Sequence, residues 1–197
     1  MKWFIYNIND LTPQTYDKWY NLMTEEKKSH IDHMRHKSDK KRSVAGEMLA
    51  KATIGKHLNI PPEQIEISQR ENGKPYAVNC NIEFNISHCE DIVVCAVHDS
   101  PIGIDIERIR PISAKVLKKF FSQAEQEYIL GKVPCLQDYD AELSNEQQKR
   151  FFEIWTGKEA YLKYTGEGLI KDLANLHFDK SRITTFLKDD YIISLFY

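Results

Sequence analysis

Between residues 101 and 111 the chain reads PIGIDIERIRP, and its apolar residues Ile102, Ile104 and Ile106 fall on every second position. Successive side chains of a strand point to opposite faces, whereas a helix repeats every 3.6 residues, so this alternation demands a half-buried β-strand. The other face of that strand carries Gly103, Asp105 and Glu107. Two carboxylates at alternate positions of a strand lie roughly 7 Å apart on one surface, close enough for a single cation to sit between them. Any solvated strand face also shows polar residues at period two, so taken alone the pair fits a metal site and a wet strand surface equally well.

Ile82, Phe84 and Ile86 alternate in the same way, and DIVVCAV is a nearly unbroken apolar run. Links this short between three strands suit antiparallel pairing in series, which predicts one sheet closing near Glu107. Upstream, Trp3 to Ile8 reads as a strand, and LTPQTYDKWYNLM and TEEKKSHIDHMRHK read as helical turns with Thr24 as a cap. A longer helix follows, with Val44, Met48 and Ala52 at helical spacing, Ser38 or Asp39 capping it, and Pro61 and Pro62 beyond its end. IEIS is a short strand and RENGKPY a turn, because Asn72 and Gly73 tolerate positive φ.

After Pro111 the pattern turns helical. Ser122 with Glu125 forms one capping box, residues 131–143 read as a surface loop, and Ser144 with Gln147 forms a second capping box before a long helix that Gly166 can close. NLHFD, ITTFLK and YIISLFY then offer short strands. Each half thus contains helix followed by strands, a hint of internal duplication that no residue-level repeat accompanies.

At 197 residues the chain is long enough for one domain or for two of about 100 residues. Its longest clean apolar run, IVVCAV, is far short of the ~20 residues a membrane span needs, and MKWFIYNIND lacks a signal-peptide core, so a soluble, cytoplasmic protein is expected. Cys80, Cys89, Cys95 and Cys135 form no CxxC pair and no zinc spacing, which predicts reduced, mostly buried thiols. A net charge of −2 argues against a general nucleic-acid binder. Yet between Arg35 and Lys56 stand seven Lys or Arg against only Asp39 and Glu47, which fits either a local anionic ligand or a solvated helix face.

Wound at 100° per residue, 149–164 gathers Phe151, Phe152, Ile154, Trp155, Tyr161 and Leu162 into one stripe and Lys149, Arg150, Glu153, Thr156 and Gly157 into a polar arc. Lys158 and Glu159 fall inside the apolar stripe and Lys163 on its edge. Charge buried against aromatic rings needs compensation. An i,i+4 ion pair between Glu159 and Lys163 explains the spacing but not the placement. A third carboxylate facing Asp105 and Glu107 explains both, and three oxygen donors without His or Cys suit Mg²⁺, not zinc or copper.

In NGKPY (72–76), FNISH (84–88), IGIDIERI (102–109) and FFEIWTGKEAYLKYTGEGL (151–169) the chain resembles the 4′-phosphopantetheinyl transferases of the surfactin-synthetase-activating (Sfp) type. The segments keep the family's order, and WTGKEAYLK fits its W-x-x-K-E-[AS]-x-x-K pattern. The resemblance covers roughly residues 20 to 170. It implies an α/β (α+β) fold of two similar, pseudo-symmetric subdomains, 1–101 and 102–197, each a small mainly antiparallel sheet with a long helix, and coenzyme A in the cleft between them. It also implies transfer of phosphopantetheine to a serine of an acyl or peptidyl carrier protein, with release of adenosine 3′,5′-bisphosphate.

By that resemblance Asp105, Glu107 and Glu159 hold Mg²⁺, with Mn²⁺ as a substitute, Glu159 serves as base, and Lys163 stabilises or protonates the departing phosphate. Arg42 contacts the 3′-phosphate, Lys74, Pro75, Ser87 and His88 line the nucleotide cleft, Lys158 approaches the pyrophosphate, and Lys27 contributes. On its own each of these motifs reads more blandly, Arg42 as a surface arginine and NGKP as a turn. His30 stands about where relatives carry a lysine, which makes a phosphate contact pH-dependent. The chain also ends after YIISLFY, without the tail many relatives possess. A chain carrying both halves of the cleft is expected to act as a monomer, without nucleic acid or membrane. Two other readings use the same residues: a Mg²⁺-dependent nucleotide phosphodiesterase, and a non-catalytic coenzyme A-binding module.

Overall fold

The alternation at 102–106 is realised as a strand, but its partner comes from the far end of the chain. The computed structural model describes residues 1–70, 73–168 and 172–197. Asn72 in the expected turn and Leu169 in the last motif lie outside them. Along the chain come β1 (Lys2–Asn7), α1 (Pro13–Asn21), α2 (Glu25–Asp32), α3 (Lys37–Leu58), β2 (Ile67–Gln69), β3 (Pro75–Ala77), β4 (Glu83–Cys89) and β5 (Ile92–His98). The second half adds β6 (Gly103–Arg108), α4 (Leu117–Phe120), α5 (Gln123–Leu130), α6 (Asn145–Thr165), β7 (Ile183–Lys188) and β8 (Tyr191–Phe196).

Three antiparallel sheets result, in the orders β1-β5-β4, β2-β3 and β6-β8-β7. The serial pairing expected of the three close strands therefore fails at its last member: β4 and β5 form a hairpin, while β6 joins β8. Where β6 passes β4 the Asn85 side chain replaces the ladder, its Oδ1 accepting the Ile104 N–H at 3.0 Å. Both large sheets share one plan, with the first strand beside the last and the last beside the penultimate, so the duplication that the residues do not show is plain in the topology. Counted from the two hairpins, Phe4 and Tyr6 of β1 occupy the places that Asp105 and Glu107 hold in β6.

Burial follows from this stacking. Val93, Cys95 and Val97 face α3 and its Val44, Met48 and Leu49, while Val94 and Ala96, with Trp3 and Ile5, meet Ile104, Ile106, Ile193 and Leu195 of the other sheet. β5 is covered on both faces, which is why its sequence is continuously apolar. A further core of Phe121, Phe151, Phe152 and Ile192 joins α6 to the segment around α4 and α5.

Local signals perform unevenly. Thr24 caps α2, and both capping boxes form at Ser122–Glu125 and Ser144–Gln147, with Gly166 closing α6 at φ 74°. Ser38 and Asp39 do not cap α3; the helix starts at Lys37, His36 takes the cap position without a side-chain bond, and Asp39 pairs with Arg42 instead. NLHFD is not a strand, since that region makes 3-10 turns at Leu173–Asn175 and Lys180–Arg182. The 131–143 loop carries a 3-10 turn at Leu136–Asp140. All four cysteines are free, but only Cys95 is buried, and Cys135 is exposed.

Candidate active site

Helix α6 is enclosed more completely than its wheel predicts. Thr156 and Gly157, assigned to a polar arc, are buried: Thr156 Oγ1 donates to the Phe152 carbonyl and lies 2.7 Å from Ser194 Oγ on β8, and Gly157 faces Ile183. A wheel reports a helix's own asymmetry, not how many neighbours cover it. One contact admits no side chain at all. A Cβ on Gly103 would stand 1.9 Å from the Ala160 carbonyl oxygen, so β6 and α6 touch backbone to backbone.

From this contact the three charged residues of α6 diverge. Lys163 Nζ donates to Asp105 Oδ1 at 2.6 Å and to Ser87 Oγ at 2.8 Å, and the Ser87 hydroxyl donates to the same carboxylate oxygen at 2.8 Å. Lys74 Nζ donates to the Lys163 carbonyl at 3.3 Å. Glu107 pairs with Arg110 at 2.8 Å, a partner that its i,i+3 spacing could have revealed in the sequence. Glu159 makes no ion pair among the described residues, so the Glu159–Lys163 bridge that spacing alone would allow is absent there, while Glu47–Lys51 on α3 and Glu146–Arg150 on α6 are i,i+4 pairs that do form.

Electrostatics ties the acids together. Burial pushes the Glu159 carboxyl above the ordinary glutamate range; the charge on Asp105 and, less, that on Glu107 push it further, with Lys163 opposing. Burial likewise raises Asp105, against the pull of Lys163 and the Ser87 hydroxyl. Glu159 thus shares one field with two acids from a strand more than fifty residues away.

Lys158 does not join this set. It is 1% exposed, and its ammonium donates to the Phe120 carbonyl (2.9 Å), Glu125 Oε2 (2.7 Å) and the Leu173 carbonyl (2.7 Å). The expectation that it approaches a pyrophosphate is corrected by this geometry, because a lysine has three N–H donors and all are taken.

On the α3 side of β4 lies a cavity of about 660 Å³ lined by Lys27, Arg42, Glu47, Pro75 and His88, with His30 on its wall. Alternation along β4 divides the work of neighbours, for His88 faces this cavity and Ser87 the acids. Arg42 is held in place by Asp39 and by the Glu90 carbonyl at 2.8 Å. Burial lowers Lys27 below the usual lysine range, with Glu47 opposing, and lowers His88, with Arg42 and Lys163 adding to the effect. In the sequence Glu47 counts only as an acid in a basic segment, because its pairing with Lys51 looks like any helix-surface spacing.

Whether these acids suit a metal ion has two answers. Among the described residues no three His, Cys, Asp or Glu side chains form a ready ligand cluster, since Asp105 is engaged by Lys163 and Glu107 by Arg110. In donor chemistry they do suit one: all are hard oxygens, and burial, the main reason that Asp105 and Glu159 are raised, leaves their charged forms short of solvation that a divalent ion would supply.

The family model described as the 4′-phosphopantetheinyl transferase superfamily matches residues 101–195, and that of the 4′-phosphopantetheinyl transferase N-terminal region matches residues 10–100. Sfp of Bacillus subtilis (strain 168), a 4′-phosphopantetheinyl transferase, is 33% identical over 166 residues, 84% of this chain and 70% of that protein. The chain belongs to the 4′-phosphopantetheinyl transferase superfamily. Another family member, the transferase gsp of Aneurinibacillus migulanus, is 36% identical over 167 residues, 85% of this chain and 65% of that protein. The chain therefore spans about two thirds of the length of these relatives. A holo-(acyl-carrier-protein) synthase from Bacillus anthracis in complex with CoA is a looser likeness, 22% identical with a TM-score of 0.41 over 48% of this chain and 90% of that one, too distant to argue from. Family membership agrees with the two repeated sheet-and-helix halves. No helix among the described residues is long and apolar enough to cross a membrane.

Proposed function

We propose that the chain moves the 4′-phosphopantetheine arm of coenzyme A onto a serine of an acyl or peptidyl carrier protein and releases adenosine 3′,5′-bisphosphate. One observation supports this reading above the rest: Glu159, with no ion pair of its own among the described residues, is raised chiefly by burial and then by the charges of Asp105 and, less, Glu107, with Lys163 opposing. A base must accept a proton at the operating pH, and a raised carboxyl suits that task.

In this reading the Glu159 carboxylate takes the proton of the carrier's serine hydroxyl. The serine oxygen forms a bond to the phosphorus of the pantetheine phosphate as the P–O bond to the nucleotide breaks, and the electron pair leaves on the 5′-phosphate oxygen. Lys163, already at Asp105, supplies positive charge or a proton to that oxygen. Lys27, Arg42 and His88 grip the nucleotide's phosphates, with Lys74 and Pro75 beside them. Asp105, Glu107 and Glu159 would hold Mg²⁺ or Mn²⁺, which neutralises charge on the diphosphate when bound. Both halves of the cleft lie in one chain, so a monomer suffices.

The test is intact-mass spectrometry of an apo carrier protein incubated with coenzyme A and Mg²⁺. We expect the carrier to gain one phosphopantetheine, a chelator to stop the gain, and Glu159→Gln to slow it by a factor on the order of 10²–10⁴ while leaving the fold intact. Nucleotide breakdown without carrier modification would instead indicate a phosphodiesterase, and binding without turnover a coenzyme A-binding module.

A further inference from the structure

We propose that Lys158 is a positioning residue that holds Glu159 in the active site, not a ligand of the substrate's phosphates. The proposal rests on the transferase reading for its kinetic consequence and on geometry for the rest.

Glu159 presents the difficulty. It forms no ion pair or hydrogen bond among the described residues, while burial and two neighbouring acids disfavour its charge. No hydrogen bond or ion pair on the side chain opposes a swing away from Asp105, and the charge of Lys163 attracts it without a direct contact, so its position is set chiefly by the helix that carries it. Three restraints act on that stretch of α6. Gly103 lets the sheet press on the Ala160 carbonyl, and Thr156 binds Ser194 at 2.7 Å; both hold the side toward β6 and β8. Lys158 holds another side.

The lysine's three acceptors come from three separate places: the end of α4 at Phe120, the first turn of α5 at Glu125, and the 3-10 turn at Leu173. Glu125 is itself fixed, since the same Oε2 accepts the Ser122 N–H of the capping box at 2.9 Å. The Phe121 ring lies 5.0 Å from the ammonium. Adjacent helical residues project about 100° apart, so tethering Lys158 on one side fixes the rotation at which Glu159 leaves the helix on the next. A rotation of α6 that carried Glu159 off Asp105 would have to break the three bonds at Lys158 together.

The experiment compares Glu125→Gln, Lys158→Met and the double variant. Glutamine keeps an acceptor for the Ser122 N–H, and the double variant leaves no unpaired buried charge, only the Phe120 and Leu173 carbonyls without their donor, so we expect it to fold even if Lys158→Met alone does not. Coenzyme A affinity is read by calorimetry, kcat and KM by carrier modification, and the rigidity of α6 by amide exchange at residues 156–164. We expect the double variant to bind coenzyme A within about twofold of wild type, with KM unchanged and kcat lowered about tenfold or more, and Glu125→Gln alone to lower kcat too. Exchange at 156–164 should quicken in both. A loss of coenzyme A affinity in the double variant with Glu125→Gln silent would make Lys158 a phosphate ligand and overturn the proposal. Full kcat in the folded double variant would overturn it as well. If the wild type transfers nothing, the transferase reading fails, and unchanged exchange at 156–164 would then defeat the positioning role independently.

Discussion

Gly103 is the residue on which the active site's dimensions depend. Because its missing side chain lets β6 reach the backbone of α6, any substituent there must push the helix outward, away from Asp105. Neither partner in that contact is a flexible side chain that could yield, so Gly103→Ala should cost about 3 kcal/mol, the upper end of overpacking penalties. In a chain of this size that is a fall of roughly 6–12 °C in melting temperature, measurable by calorimetry, and transfer should weaken with it. The alternation of IGIDIERI showed that a small residue faces the same way as the two acids. It could not show why. A glycine in a strand is read as loss of packing until the element lying over it is known.

Among the elements, β4 and β6 make the decisive junction. They belong to different sheets, and the Asn85 amide stands in for a strand ladder by accepting the Ile104 N–H inside the core. Asn85→Leu leaves that N–H buried without a partner and should destabilise the fold by about 1–3 kcal/mol, as read from a lower denaturant midpoint with an unchanged slope. Most elements were legible in the sequence: period-two runs gave β4, β6, β7 and β8, a continuous apolar run gave β5, and Ser122–Glu125 and Ser144–Gln147 marked where α5 and α6 begin. The change of sheet at residue 102 was not, because alternation states which face is buried and is silent on which strand pairs. The site divides in the same way. Glu159 was visible as a charge on an apolar stripe, but so was Lys158, and a wheel cannot tell a side chain that meets two acids from one that meets Glu125. Glu125, moreover, already had a sufficient explanation in its capping box, which concealed its second role.

For the molecule as a whole, the cavity beside α3 links stability to pH. His88 is lowered chiefly by burial and then by Arg42 and Lys163, so the fold favours its neutral form. Its contribution to stability is present above the unfolded histidine value near 6.5 and is lost as pH falls through the depressed folded value. The melting temperature of the wild type should therefore drop more steeply from pH 7 to pH 5 than that of His88→Gln, and a bound 3′,5′-bisphosphate, whose charge favours the protonated ring, should flatten the wild-type curve. The two halves share one strand order, yet Phe4 and Tyr6 stand in the first where Asp105 and Glu107 stand in the second. Those exchanges help to separate the roles of two modules with one plan: with aromatic rings at those places the first can keep a neutral seam under its long helix and leave a hollow beside it, while the second places two carboxylates there. Specialisation here comes from which side chains line one common scaffold, and grafting the acids onto β1 would reproduce the charge without the close-approaching glycine that brings a helix down to it, since Lys2 holds that place.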